Sequence, residues 1–167
     1  TSTINLKDKV VKRAVNSLRK SKRIEQLSFV AIANELNVRV DEIQAFYTTT
    51  EDIFLEAQKK DWESLHRYWD RHIKKSKTPG DFKNAFEIFF ERFVETLSDD
   101  ADLRLELSCY LPKCIKYREK NRERVKQKFK KLIKRGWPGK DEKVLERQSE
   151  LVTVLFYGFV DHVVHIP

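Results

Sequence analysis

The sequence predicts an all-α fold. Three observations point there: Gly and Pro number only four each in 167 residues, strand-like alternating runs joined by Asn-Gly or Asp-Gly turns are absent, and apolar residues recur three and four positions apart. Charged residues make up 36% of the chain, but they are interspersed with apolar positions at helical spacing, which marks a folded protein rather than a disordered one. The length fits one domain, or a small module fused to a larger one.

In chain order, Leu6, Val10, Val11, Ala14, Val15 and Leu18 fall on one helical face, and that helix ends in the polar run RKSKR. Ser28 is an N-cap candidate for a second face of Val30, Ile32, Ala33 and Leu36. Asn37 can close that helix in the left-handed conformation. Val40, Ile43, Ala45, Phe46 and Tyr47 then make a further short helix ending before TTT at 48–50. Two short amphipathic helices joined by so tight a turn form a helix-turn-helix arrangement.

Thr49 or Thr50 caps a long helix reaching about Lys75, with Phe54, Trp62, Leu65, Trp69 and Ile73 along one side. Pro79 opens the next as a first helical residue, and its face Phe82, Phe86, Phe89, Phe90, Phe93 and Leu97 is dense in aromatics. A short helix is expected around Ala101–Leu107. Pro112 starts a long basic helix that runs to Arg135 and is broken by GWPG at 136–139. The last helix, from about Asp141, is apolar nearly all round from Leu151 to Val164. A helix without a polar face must be covered on both sides, so this one is expected to pack on its own domain and on a second copy. Leu151, Leu155, Gly158 and His162 would lie in that interface, with Gly158 allowing close approach.

The run from Ile32 to Ile53 resembles the TetR family of transcriptional regulators. Ile32-Ala33, Asn37-Val38, Ile43 through Tyr47 and Thr50-Glu51-Asp52-Ile53 follow that family's N-terminal signature without a gap. The segment LVTVLFYGFVDHVVHIP resembles its penultimate helix. Departures occur where the family's turn Gly is Asn37, its recognition-helix Lys and Gly are Val40 and Asp41, its Tyr is Gln44 and its cap Lys is Thr50. The resemblance implies a DNA-binding domain over 1–47 and a ligand-binding and dimerisation domain over 48–167. It also implies one more helix beyond Pro167. A chain that starts at Thr1 and contains no Met is itself expected to lack residues.

On this resemblance the second short helix enters the major groove of operator DNA. Arg39, Val40, Asp41, Glu42 and Gln44 face the bases, Arg suiting guanine, Gln adenine and acidic groups the cytosine amine. Thr48 and Thr49 at its end, with Lys9 and Lys12 on the first helix, are expected to hold phosphates. The aromatic stripe is either simple core or the wall of a cavity for a mainly apolar small-molecule effector. Trp69, Phe86, Phe89, Phe93 and Tyr110 would line such a cavity, with His72, Arg118 and Arg122 as its polar groups. The two Arg fall on the stripe Leu111, Ile115, Arg118, Arg122, Val125, Phe129 and Leu132; turned inward they need a Glu or an anionic ligand, and otherwise they snorkel to solvent. A ligand at Trp69 would act through the helix that begins at Thr50, a rigid lever of roughly 30 Å.

The net charge of +8 is concentrated, with thirteen Lys or Arg against two Glu over residues 113–140. That run reads first as a solvated face and second as a surface for an anionic partner. The acidic recognition helix and the missing cap Lys favour an alternative function: an interaction protein of the same fold that has lost operator binding and uses its basic helix to hold an acidic partner. Cys109 and Cys114 lie near no zinc-like pattern. Glu63 and His66 have di-iron-like spacing but no second copy, and Asp161, His162 and His165 form no metal set. With no catalytic arrangement or phosphate loop, neither enzyme activity nor a cofactor is expected. No apolar run approaches the roughly 20 residues that span a bilayer, no signal peptide is evident, and a cytoplasmic protein is expected.

Overall fold

The computed structural model describes residues 3–21, 23, 27–98 and 110–163, and side chains within these except 3–5, 79, 82, 92–98 and 159–163. Among them every regular element is helical: α1 (Thr3–Ser21), α2 (Phe29–Leu36), α3 (Val40–Gln44), α4 (Thr50–Arg71), a 3-10 turn (Ile73–Lys75), α5 (Pro79–Ser98), α6 (Pro112–Gly136) and α7 (Glu142–Val163). The short helix expected around Ala101–Leu107 lies outside the described residues.

The helix starts follow local chemistry. Ser28 is extended and its hydroxyl accepts from the Ala31 N–H at 3.1 Å, satisfying a donor that the first turn of α2 cannot satisfy itself. At α5 the Asp81 N–H donates to the Thr78 hydroxyl at 3.1 Å while the Asp81 carboxylate accepts from the Thr78 N–H at 3.1 Å, a reciprocal capping box. Asp141 caps α7, its carboxylate accepting from the Lys143 N–H at 2.8 Å. The helix α4 ends at Arg71, short of Lys75. There the chain tightens into the 3-10 turn, and the Ser76 hydroxyl donates to the His72 carbonyl at 3.2 Å. In α3, expected to run to Tyr47, the last turn instead closes with the N–H groups of Phe46 and Tyr47 both donating to the Ile43 carbonyl.

The chain forms two compact units, one comprising Thr1–Asp61 with Leu103–Ile115, the other Trp62–Asp102 with Lys116–Pro167. Whereas the sequence suggests a boundary at 47/48, the units part within α4, because Ile53, Phe54 and Ala57 are buried in the first core. That core gathers Val10, Val11, Ala14 and Leu18 of α1, Ile32 and Ala33 of α2, Ile43, Tyr47 and Cys114. Val30, expected on the inner face of α2, is exposed, and Phe29 packs there instead. The second unit buries Leu65, Trp69, Ile73, Phe89, Val125, Phe129, Leu145, Phe156 and Tyr157. No described helix is long and apolar enough to cross a membrane.

Candidate functional site

Between α2 and α3 the chain reverses at Asn37, whose φ of 52° and ψ of 49° are left-handed. Its N–H, at 3.3 Å from the Asn34 carbonyl, and that of Val38, at 3.0 Å from the Ala33 carbonyl, close α2. A short polar side chain tolerates this conformation better than any other non-glycine type. The turn presents Arg39, Asp41, Glu42 and Gln44 to solvent, with Val40 half-buried and Ile43 fully buried. Arg39 is not free: its guanidinium grips the Asp41 carboxylate through two contacts, one of them Nε to Oδ1 at 2.9 Å. The same pair holds the Asp41 carboxyl below its ordinary range. The Glu42 carboxylate folds back to accept from the Arg39 N–H at 2.9 Å, which fixes the first turn of α3.

The two threonines expected to hold phosphates are engaged too. Asp52 Oδ2 accepts from the N–H groups of Thr48 (3.1 Å) and Thr49 (2.8 Å) and from the Thr49 hydroxyl (3.0 Å). Lys113 sits on the other oxygen of that carboxylate at 2.6 Å. The cluster caps α4 from within the chain, and the lysine leads in holding Asp52 below the usual carboxylate range. Lys9 and Lys12 are exposed.

In the second unit the aromatic stripe packs ring on ring. Trp69 meets Phe89 and Phe129 edge-on at 5.4 and 5.2 Å, Phe86 stands 4.8 Å from Phe90, and Phe156 closes the group at 5.8 Å from both Phe90 and Phe129. These separations are those of a filled core. Of the residues expected at a cavity wall, Trp69 and Phe89 are buried and Phe86 is half-buried. Tyr110 is 74% exposed, and His72 is exposed and stacked on Tyr68. Arg122 is exposed and paired with Glu150 at 3.1 Å, while Arg118 is half-buried. On α6, Val125 and Phe129 are buried as expected, but Asn121 is buried where Arg122 was expected to turn inward, and Cys114, in the first unit, is buried while Ile115 is half-buried. The Phe93 and His162 side chains lie outside the described residues.

Asn121 carries a polar chain that sequence reasoning missed. Its carbonyl lies 2.7 Å from His66 Nε2 and its amide donates to the Tyr157 hydroxyl at 3.2 Å. All three residues are buried. A carbonyl can only accept, so His66 carries its proton on Nε2. Burial holds its pKa below the usual histidine value, against the pull of Asn121. Glu63, the other half of the di-iron-like spacing, pairs with Arg124 at 2.5 Å. No group of three metal-binding side chains occurs among the described residues.

Beside Trp69 a cleft of about 640 Å³ opens between the end of α4 and α6. Five cations line it: Lys74, Arg124, Lys128, Lys131 and Arg135. Asp70 is its one acid. Lys128 lies over the Trp69 ring, 6.0 Å from its centre, and reaches Asp70 at 2.7 Å.

The other flank of α6 faces α7 through a ladder of ion pairs. Lys126 contacts Glu146 at 2.5 Å and Glu150 at 3.1 Å, and Lys130 contacts Glu142 and Glu146 at 2.7 Å each. Glu146, between two ammoniums, is held at about 2, and Lys126 is pushed up to about 12. Much of the basic run thus finds its acids within this chain. The helix α7 buries Leu145, Ser149, Thr153, Phe156 and Tyr157, and on its other side exposes Leu151, Val154, Leu155 and Gly158. Among the described residues, nothing lies within 4 Å of where a side chain on Gly158 would begin.

Comparison with protein-family models, with curated proteins and with solved structures finds no match to this chain.

Proposed function

We propose that this chain is a dimeric, effector-responsive transcriptional regulator of the TetR kind, acting as a repressor, with α2 and α3 as its helix-turn-helix. The observation that carries the reading is the junction at Asn37. A left-handed residue joins two short helices, and the apolar positions of the signature, Ile32, Ala33, Ile43, Tyr47 and Ile53, are all buried in one core, leaving the polar positions of α3 outward. In such modules the outward side chains of the second helix read the major groove. Arg39 and Gln44 would read bases, with Lys9 and Lys12 on phosphates. The helix α4 carries 22 residues without a break, about 33 Å at 1.5 Å per residue, and connects the DNA-binding segment to Trp69. An effector bound near Trp69 would act by preferring one of two orientations of this helix, and operator DNA would weaken its binding by the same factor.

The Arg39–Asp41 pair favours a second reading, a protein of the same fold that has lost operator binding and holds an acidic partner. Base readout by Arg39 requires exchanging Asp41 for guanine, and Asp41 and Glu42 repel phosphate. One experiment separates the two: binding to the DNA upstream of the chain's own gene, measured across a salt series. The regulator reading expects a cognate affinity well above that for random DNA, with Arg39→Ala costing about 1–3 kcal/mol on the cognate site alone. Equal affinity for cognate and random DNA in both proteins favours the second reading.

A further inference from the structure

We propose that the cleft beside Trp69 is a binding site for a small, multiply charged phosphate compound. The charge count leads to this class of ligand. Arg124 already holds Glu63 and Lys128 holds Asp70. Arg135 is anchored by the backbone, its guanidinium donating to the carbonyls of Lys74 and, at 3.5 Å, Ile73. Carbonyls orient that cation without neutralising it. Lys74 and Lys131 are exposed and have no ion-pair partner among the described residues. Three positive charges therefore face one concavity uncompensated, and a single carboxylate on a ligand would leave two of them so.

The size agrees. A volume of about 640 Å³ lies within the range of small-molecule sites, roughly 300–1,000 Å³, and exceeds what an inorganic ion needs. The floor is rigid, because Trp69 is wedged edge-on between Phe89 and Phe129. Lys128 is nearly buried, with 15% of its side chain exposed. Its ammonium, drawn toward the His66 carbonyl at 3.5 Å as well as Asp70, is a fixed and partly desolvated donor. Charge-assisted bonds from an ammonium to a phosphate oxygen are roughly twice as strong as neutral ones. An apolar effector, by contrast, would meet an already filled ring cluster.

This inference depends on the regulator reading only for its consequence, that the phosphate compound is the effector. Binding itself is measured without DNA. Inorganic pyrophosphate is titrated calorimetrically into the full chain at constant ionic strength, and the series is repeated with Lys74→Ala/Lys131→Ala and with Lys143→Ala, a lysine that does not line the cleft. The expected result is one saturable site per chain, weakened about tenfold or more by the double substitution and unchanged by Lys143→Ala. Either no saturable binding, or equal loss in both variants, overturns the proposal. A parallel titration with random duplex DNA separates the two sources of phosphate: DNA binding should be unaffected by the double substitution, and a loss there in place of pyrophosphate binding would make the cleft a nucleic-acid surface instead.

Discussion

His66 is a neutral imidazole buried in the second unit between Trp62 and the amide of Asn121. Its pKa is lowered chiefly by desolvation. An unfolded chain therefore takes up a proton on this ring as the pH falls below about 6.5, while the folded chain resists protonation until a lower pH. Proton uptake by the unfolded state alone makes stability fall through that window, by at most about 1.4 kcal/mol per pH unit for one group. Glu146 acts in a separate, more acidic window: its depressed carboxyl contributes above about 4.5 and loses that contribution as the pH drops toward its folded value. Urea unfolding from pH 7 to pH 5 should thus show a decline that flattens in His66→Gln, which keeps an N–H donor for Asn121 but does not titrate. A decline of equal slope in both proteins rules out this ring as its source.

At the scale of elements, the α2–α3 junction depends on one backbone conformation. An L-residue pays roughly 1–2 kcal/mol in the left-handed region, least for Asn and most for a β-branched side chain. Asn37→Gly should leave thermal stability nearly unchanged, whereas Asn37→Val should lower it by about 1–2 kcal/mol and weaken any DNA binding further by misplacing α3. Equal melting of the two variants would show that the turn is not under this constraint. Asn37 could be identified as a cap from sequence because its chemistry is local, as could Ser28 and the first-turn Pro79. What sequence could not fix was the rotation of α6. Its polar residues are so frequent that Arg118, Arg122 and Asn121 all lie near one edge of the apolar stripe. Only the positions of His66 and Tyr157, more than 30 residues away on either side, decide that Asn121 turns inward. The aromatics of α5 show the same limit. Periodicity places Phe86 and Phe89 on one face but does not tell a filled cluster from a lined cavity, and the basic cleft draws Lys74 and Arg135 from segments about 60 residues apart.

For the whole molecule, α7 presents the open question of assembly. One side is committed to its own unit through Leu145, Phe156 and Tyr157, yet Leu151 and Leu155 on the other are 59% and 63% exposed, with Val154 beside them. Single exposed apolar residues need no explanation, but three on adjacent turns flanking an open Gly158 form a continuous strip. A second copy is the partner that the regulator reading supplies. Operator recognition needs two α3 helices about 34–36 Å apart, which a monomer cannot provide, and a two-fold axis along this strip would pair each Leu with its counterpart. A dimer joined here has an apparent stability that rises with protein concentration, since association favours only the folded chain. Leu151→Glu/Leu155→Glu places charges in that contact while touching nothing buried, so the isolated chain should change by only about 0.5 kcal/mol. Sedimentation at micromolar concentration should therefore give a dimer for the natural chain and a folded monomer for the double variant. The variant's melting temperature should not depend on concentration, and its affinity for operator DNA should collapse. A natural chain that sediments as a monomer, or a double variant that remains a dimer, would mean that this strip is not the interface, and DNA recognition would then have to proceed through a single α3.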